Sequence, residues 1–219
     1  MIVAIDGPAG SGKGTVAKMI DEKLGFTRID TGAMYRCIAL KMLRQNIKVN
    51  ELDKISNLLE NTDIELKKED DMVKVILDGE DVTKEIRTPE VNDFVSTASS
   101  IKIIRSKMVD MQRTMKNKAH NIVMEGRDIT TVVFPDADIK IYLDASLEER
   151  ARRRYKELIE NGIDTTFEET LESIRKRDEN DMNKPVGALK RTLDQIYIDS
   201  TKMTIEEVVD AIVNKVQNC

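Results

Sequence analysis

Apolar and polar positions follow two distinct periods along this chain. Short, nearly unbroken apolar runs occupy 2–5, 121–124, 139–143 and 195–198, with a weaker one at 26–29. Such runs suit strands buried on both faces. Between and after them, apolar residues recur at spacings of three and four, which predicts helices over 13–24, 31–45, 89–117, 146–161, 167–182 and 204–217. In the last of these, Ile205, Val208, Val209, Ile212, Val213 and Val216 share one face, and Thr204 stands where an N-cap belongs. Alternation of the two kinds of segment predicts an α/β fold with a mostly parallel five-stranded sheet, covered by helices on both faces.

Across 63–86 that rhythm is broken. Ile64-Glu-Leu66, Val73-Lys-Val-Ile-Leu77 and Val82 are separated by turn-like residues at 67–71 and by Asp78-Gly79. The pattern predicts a small antiparallel β subdomain inserted between helices, with a disordered acidic turn as the alternative. No internal repeat or Gly/Ser linker interrupts the chain. Its 219 residues are read as a single domain, 1–219, carrying that insertion.

Charge and cysteine content narrow the classes. A net charge of −5 argues against a general nucleic-acid binder. No apolar run approaches the roughly 18 residues of a membrane span, and Met1-Ile-Val-Ala-Ile5 carries no basic leader segment. Cys37 and Cys219 lie far apart, His120 is the single histidine, and no Cys/His cluster suggests zinc. Reduced thiols, a cytoplasmic location, a monomer and no nucleic-acid or membrane partner are the expectations.

The first apolar run leads into Gly7-Pro8-Ala9-Gly10-Ser11-Gly12-Lys13-Gly14-Thr15, and a helix follows. Glycines let successive backbone N–H groups turn inward on a phosphate, and the helix N-terminus adds partial positive charge. Lys13 would reach the β- and γ-phosphates. Strand, loop and helix come in the order this phosphate-binding motif requires, so the chain is expected to bind a nucleoside triphosphate. One departure stands out: Gly14 follows the lysine, and the hydroxyl comes a residue later at Thr15. Kinases of nucleotides and small metabolites often carry this variant.

A donor site leaves the acceptor open, so clustered arginine is informative. Thr31, a candidate N-cap, and Arg36 open the helix after the second run. Glu125-Gly126-Arg127-Asp128 closes a strand, where ligands gather in open α/β sheets. There Glu125 is a candidate to orient Mg²⁺ through water, Arg127 to hold phosphate and Asp128 to accept from a base. Arg150, Arg153 and Arg154 share a helix face that could close over a triphosphate as a lid spanning about 148–166; a salt-bridged surface is the other reading. Arg177, Asp181 and Lys184 would share another face. Arg105 borders the apolar stripe Ile101, Ile104, Met108, Met111 and Met115, and Ser96 precedes it.

Taken in order, Ile5-Asp6-Gly7-Pro8, Gly12-Lys13-Gly14-Thr15, Asp30-Thr31-Gly32-Ala33-Met34-Tyr35-Arg36, Gly79-Glu80-Asp81-Val82, Ile86-Arg87, Glu125-Gly126-Arg127-Asp128, the segment 131–137 and Arg177-Asp178 resemble bacterial cytidylate kinases over nearly the whole chain. The resemblance implies a P-loop kinase core with a short lid and transfer of phosphoryl from ATP, with Mg²⁺, to CMP or dCMP. It implies that Gly7 to Thr15 hold ATP, with Thr15 and Glu125 toward the metal. Thr31, Arg36 and Arg127 would grip the acceptor phosphate, and Ser96, Arg105 and Asp128 would read cytosine. Arg177 and Asp181 would meet ribose and phosphate. Lys13, Arg127, Arg150 and Arg154 would act on the transferred group. Lys184 departs from the pattern, which usually has arginine there, and the Pro-Leu pair nearby is altered to Pro185-Val186-Gly187-Ala188-Leu189. Alternative acceptors are UMP, AMP and shikimate. Rival classes are a nucleotide-binding switch, for which Asn183-Lys184-Pro185-Val186 lacks the guanine-reading aspartate, and an RNA-binding module built on Arg150 to Arg154.

Overall fold

The first apolar run is buried along its whole length and forms the centre of a sheet, as an unalternating pattern requires. The computed structural model describes residues 1–69 and 72–218. Residues 70 and 71 of the expected turn, and the thiol of Cys219, lie outside the described residues. The chain forms two compact units, Met1–Arg28 with Lys116–Cys219, and Ile29–Met115.

Element order is β1 (Ile2–Asp6), α1 (Lys13–Leu24), β2 (Thr27–Asp30), α2 (Thr31–Arg44) and α3 (Leu52–Glu60). The insertion follows as β3 (Ile64–Glu69), β4 (Met72–Leu77) and β5 (Glu80–Asp81), then α4 (Pro89–Ala98) and α5 (Lys102–Met115). The chain closes with β6 (Ile122–Gly126), β7 (Ile139–Asp144), α6 (Leu147–Glu160), α7 (Phe167–Asn183), β8 (Ile196–Asp199) and α8 (Ile205–Gln217).

The large sheet has the order β2-β6-β1-β7-β8. β1 runs parallel to β6, with Val3 opposite Val123, and parallel to β7, with Ile5 opposite Ile141. β8 extends it in parallel beyond β7. Every second residue of the central strands (Val3, Ile5, Ile139, Ile141, Leu143) packs with Val16, Ala17 and Ile20 of α1 and Val208, Val209 and Ile212 of α8. Capping starts α8 where the sequence indicates: Thr204 accepts from the Glu207 N–H, and Glu207 returns the bond.

In the second unit, β3, β4 and β5 form the expected antiparallel sheet, with Leu66 opposite Val75. Two cations of α2 tie it down. Lys41 bonds Thr62 at 3.0 Å and pairs with Asp78, and Arg44 forks onto Glu80 and also pairs with Glu85.

Three expectations need correction. The helix over 89–117 is two helices, broken at 99–101. Ser99 and Ser100 turn their hydroxyls back onto the carbonyls of Ser96 and Thr97, satisfying the backbone locally. The N-cap of α2 is Asp30, whose carboxylate accepts from the Ala33 N–H at 2.8 Å; Thr31 is the buried first residue of the helix. α3 lies in a stretch where no element is expected, burying Ile55, Leu58 and Leu59. Among the described residues no helix is long and apolar enough to cross a membrane, and Cys37 is a buried free thiol.

Candidate active site

At the end of β1 the chain must turn tightly beside β7. A β-carbon on Gly7 would lie 2.0 Å from the Leu143 carbonyl oxygen, so only glycine passes there. Gly10 and Gly12 then adopt φ of +76° and +89°, and the loop curls into the N-terminus of α1. Lys13 is buried in this curl, its Nζ donating to the Pro8 carbonyl at 2.7 Å and to Ser11 Oγ at 3.2 Å. Burial drives its pKa well below the usual lysine range, and the positive charges of Arg127 and Arg177 push the same way against Glu125 and Asp6. Three cations thus converge on a loop shaped for an anion.

Position 14, where the hydroxyl is missing, is a tight one. A β-carbon on Gly14 would stand 3.0 Å from Glu125 Oε1 and 3.3 Å from Arg28 Nη2. Glu125 and Arg28 are themselves paired at 3.1 Å and mostly buried. The carboxylate therefore crowds that position, and it would have to give way by a few tenths of an ångström to admit a Ser or Thr side chain. Thr15, one residue on, is exposed. Among the described residues no group of three or more His, Cys, Asp or Glu could cage a metal. The Glu125 carboxylate beside the phosphate loop suits a hard cation that arrives with its nucleotide and keeps most of its waters.

Arg127 leaves the end of β6 and donates through Nε to Asp181 Oδ2 at 2.7 Å. Asp181 is buried on α7, and Lys184 meets its other oxygen at 2.7 Å. Burial alone would raise the Asp181 pKa, but the charges of Arg127, Lys184 and Arg177 outweigh it and hold the group well below the carboxylate range. α7 ends at Asn183, so Lys184 is its C-cap and folds back onto Asp181 at i,i+3. Asp128 heads a single π-helical turn, Ile129–Val133, its carbonyl accepting from Val132 and Val133. Asp6 Oδ1 accepts from the Ile129 N–H at 2.8 Å, and its Oδ2 from the N–H and hydroxyl of Thr130.

The expected arginine face of α6 separates into three environments. Arg150 points inward, to the Ala9 and Ala145 carbonyls and to Asp178. Arg153 pairs with Glu149 and donates to the Ser200 carbonyl. Arg154 pairs with Glu157 at the surface.

The remaining candidates belong to the second unit. Thr31 is buried, and Arg36 Nη2 reaches Asp30 Oδ2 at 3.3 Å. Ser96 lies on α4, before the break, and Arg105 on α5, after it. Arg105 is buried, its guanidinium 5.8 Å from the Tyr35 ring centre and its Nη1 3.4 Å from the Ser99 carbonyl. Sequence reading assigned no role to Arg28 or Asp6. For Asp6 a signal was present, because a carboxylate ending a wholly apolar strand must find donors or stay protonated.

A glycine-turned loop between a parallel strand and a helix, with cations gathered on its lysine, defines a nucleotide-dependent phosphotransferase of the P-loop class. The family can also be stated. The model of the cytidylate kinase family matches residues 3–218, and the chain belongs to that family. It is 49% identical over 210 residues to a cytidylate kinase of Caldicellulosiruptor saccharolyticus, covering 96% of this chain and 92% of the relative. It is 44% identical over 215 residues to one of Bacillus subtilis, covering 98% and 96%. Among solved structures, an uncharacterized protein from Eubacterium ventriosum shares the fold with a TM-score of 0.53 at 15% identity, covering 100% of this chain and 99% of that one.

Proposed function

We propose that this enzyme moves the γ-phosphoryl group of ATP to CMP and dCMP, giving ADP and the nucleoside diphosphate. The observation that carries the donor half is Lys13, buried in the loop with Arg127 and Arg177 adding like charge around it. A polyanion bound there offsets all three charges together. Family membership over nearly the whole chain supports the acceptor.

In this reading the amides and side chains from Gly7 to Thr15 hold the ATP phosphates. Arg127, oriented by Asp181, places its charge where negative charge is redistributed during transfer. The acceptor phosphate oxygen is already anionic, so positioning and charge stabilisation suffice without a general base. Thr31 and Arg36 serve the acceptor phosphate, and Ser96, Arg105 and Asp128 supply polar contacts for cytosine. Arg177, Asp181 and Lys184 serve ribose and phosphate. Lys184 meets its partner as a point charge, without an arginine's fork. Glu125 and Thr15 would hold Mg²⁺, in part through water, and the ion would supply positive charge against the phosphates. Arg154, midway along α6, would join the lid over 148–166.

Two measurements test the reading. With ATP and a panel of CMP, dCMP, UMP, AMP and shikimate, CMP and dCMP should give the highest kcat/KM; preference for any other acceptor overturns it. Arg127→Ala should lower turnover by about 10³-fold or more, by analogy with arginine groups on a transferring phosphate. Turnover near that of the parent would remove Arg127 from the mechanism.

A further inference from the structure

Arg150 and Asp178 meet around a single peptide of the phosphate loop. Asp178 Oδ1 accepts from the Ala9 N–H at 3.1 Å, while Arg150 Nη1 donates to the Ala9 carbonyl at 2.9 Å. The two side chains close the ring through an ion pair at 2.5 Å, with only 8% and 10% of their side-chain surfaces exposed. Arg150 Nε is committed elsewhere, to the Ala145 carbonyl at 2.9 Å. Packing reinforces the arrangement. The Ala9 methyl is buried with Ala151 of α6 and Ile174 of α7, flanked by Leu147, Phe167 and Leu171. A β-carbon on Gly10 would fall 3.0 Å from the Arg150 carbonyl oxygen, so α6 sits directly against the loop.

We propose that the Arg150–Asp178 pair is a positioning device for the phosphate loop, and that Arg150 does not itself touch the transferring phosphate. The pair fixes the direction of the Ala9 peptide, and with it the curl that follows through Gly10, Ser11 and Gly12. It also fastens the base of the α6–α7 hairpin to the loop, so that any lid movement is confined to the part of the hairpin beyond it, which begins with Arg154 one turn further along α6. The proposal rests on the reading that Gly7 to Thr15 bind ATP phosphates.

The test is a double-mutant cycle on ATP binding and turnover, with Arg150→Ala, Asp178→Asn, both together, and Lys13→Ala as the control for the reading itself. As positioning residues, each single change should weaken ATP binding by roughly 30-fold or more, the lower end of the range for truncating one partner of a buried charge pair. The double variant should be hardly worse than either single one, because one device is lost in every case. The rise in KM for ATP should exceed the fall in kcat. If Arg150→Ala proves too unstable to assay, Asp178→Asn, which keeps the side-chain shape, carries the same expectation. An Asp178→Asn enzyme with parental ATP affinity overturns the proposal. So does an Arg150→Ala enzyme with unchanged ATP affinity and a thousandfold loss in kcat, which would assign Arg150 to the transferred phosphate. If Lys13→Ala binds ATP as tightly as the parent, the loop reading fails first; weakening in Lys13→Ala without weakening in the pair variants rejects the clamp alone.

Discussion

Asp6 should make this protein lose stability as pH rises through the mildly acid range, opposite to what most carboxylates do. The group has no exposed surface. Burial is the largest influence on it and lifts its pKa from 3.8 to about 6, although the hydroxyl and amide of Thr130 and the amide of Ile129 pull it back. A carboxyl whose folded pKa lies above its unfolded value binds its proton more tightly when folded. Its contribution to stability is therefore complete below about pH 3.8 and is lost as pH passes 6. The interval between those values corresponds to about 3 kcal/mol. Asp181 acts in the reverse sense, since its pKa is held low, and its contribution disappears only in stronger acid.

Replacing Asp6 by Asn keeps the shape and removes the titration. Many other groups titrate in both proteins, so the informative quantity is the difference in unfolding free energy between parent and Asp6→Asn. Lost hydrogen bonds to Ile129 and Thr130 shift that difference by a constant amount at every pH. The titration alone should shrink the parent's advantage by about 2 kcal/mol between pH 4 and pH 7. Urea unfolding followed by circular dichroism at half-unit steps measures it, with the Asp6 side-chain carbon titrated by NMR as a direct check. A difference that stays constant across the range, or an NMR midpoint near 4, would refute the reasoning.

Two further predictions come from glycines of the loop. Gly7→Ala forces a methyl to within 2.0 Å of the Leu143 carbonyl oxygen, and it should destabilise the fold by about 1–3 kcal/mol while abolishing tight ATP binding. Thermal melting and a nucleotide titration check it, and a variant that melts with the parent contradicts the geometry. Gly14→Ser restores the hydroxyl of the commoner P-loop pattern but meets Glu125 Oε1 at 3.0 Å and Arg28 Nη2 at 3.3 Å. It should raise the Mg²⁺ concentration for half-maximal rate severalfold, and a lowered requirement would show that the serine serves the metal without disturbing Glu125.

The parts of the fold legible in the sequence were those in which one local signal was decisive. Apolar runs such as Ile2 to Ile5 have no amphipathic alternation, so they had to be interior strands. Ile64-Glu-Leu66 and Val73-Lys-Val75 alternate and have turn residues between them, so they had to pair with each other. The glycine loop was legible because its chemistry is built from consecutive residues. The break at 99–101 was not, because the apolar period of α4 and α5 runs on across it while serine hydroxyls redirect the backbone. For α2, two neighbouring residues both suited the N-cap, and the identity of the residue at the end of β2 decided for Asp30.

The site was legible as a set of residue types and illegible as a set of partners. Spacing put Arg150, Arg153 and Arg154 on one helical stripe, and that stripe exists. Yet an arginine's reach is longer than the difference between facing solvent and facing the core. Arg150 turns inward because Asp178 and the carbonyls of Ala9 and Ala145 wait there, on segments distant in sequence. Arg154 turns outward to Glu157, one helical turn away. The same logic explains why Asp6 and Arg28 escaped notice. Their donors and acceptors, Ile129, Thr130 and Glu125, lie about a hundred residues further on, and a sheet order that sets β6 between β2 and β1 brings them alongside. A charged residue's role in this protein is fixed by what the sheet order places opposite it, so a substitution conservative in charge and size can still dismantle the loop if it moves a donor off the Ala9 peptide.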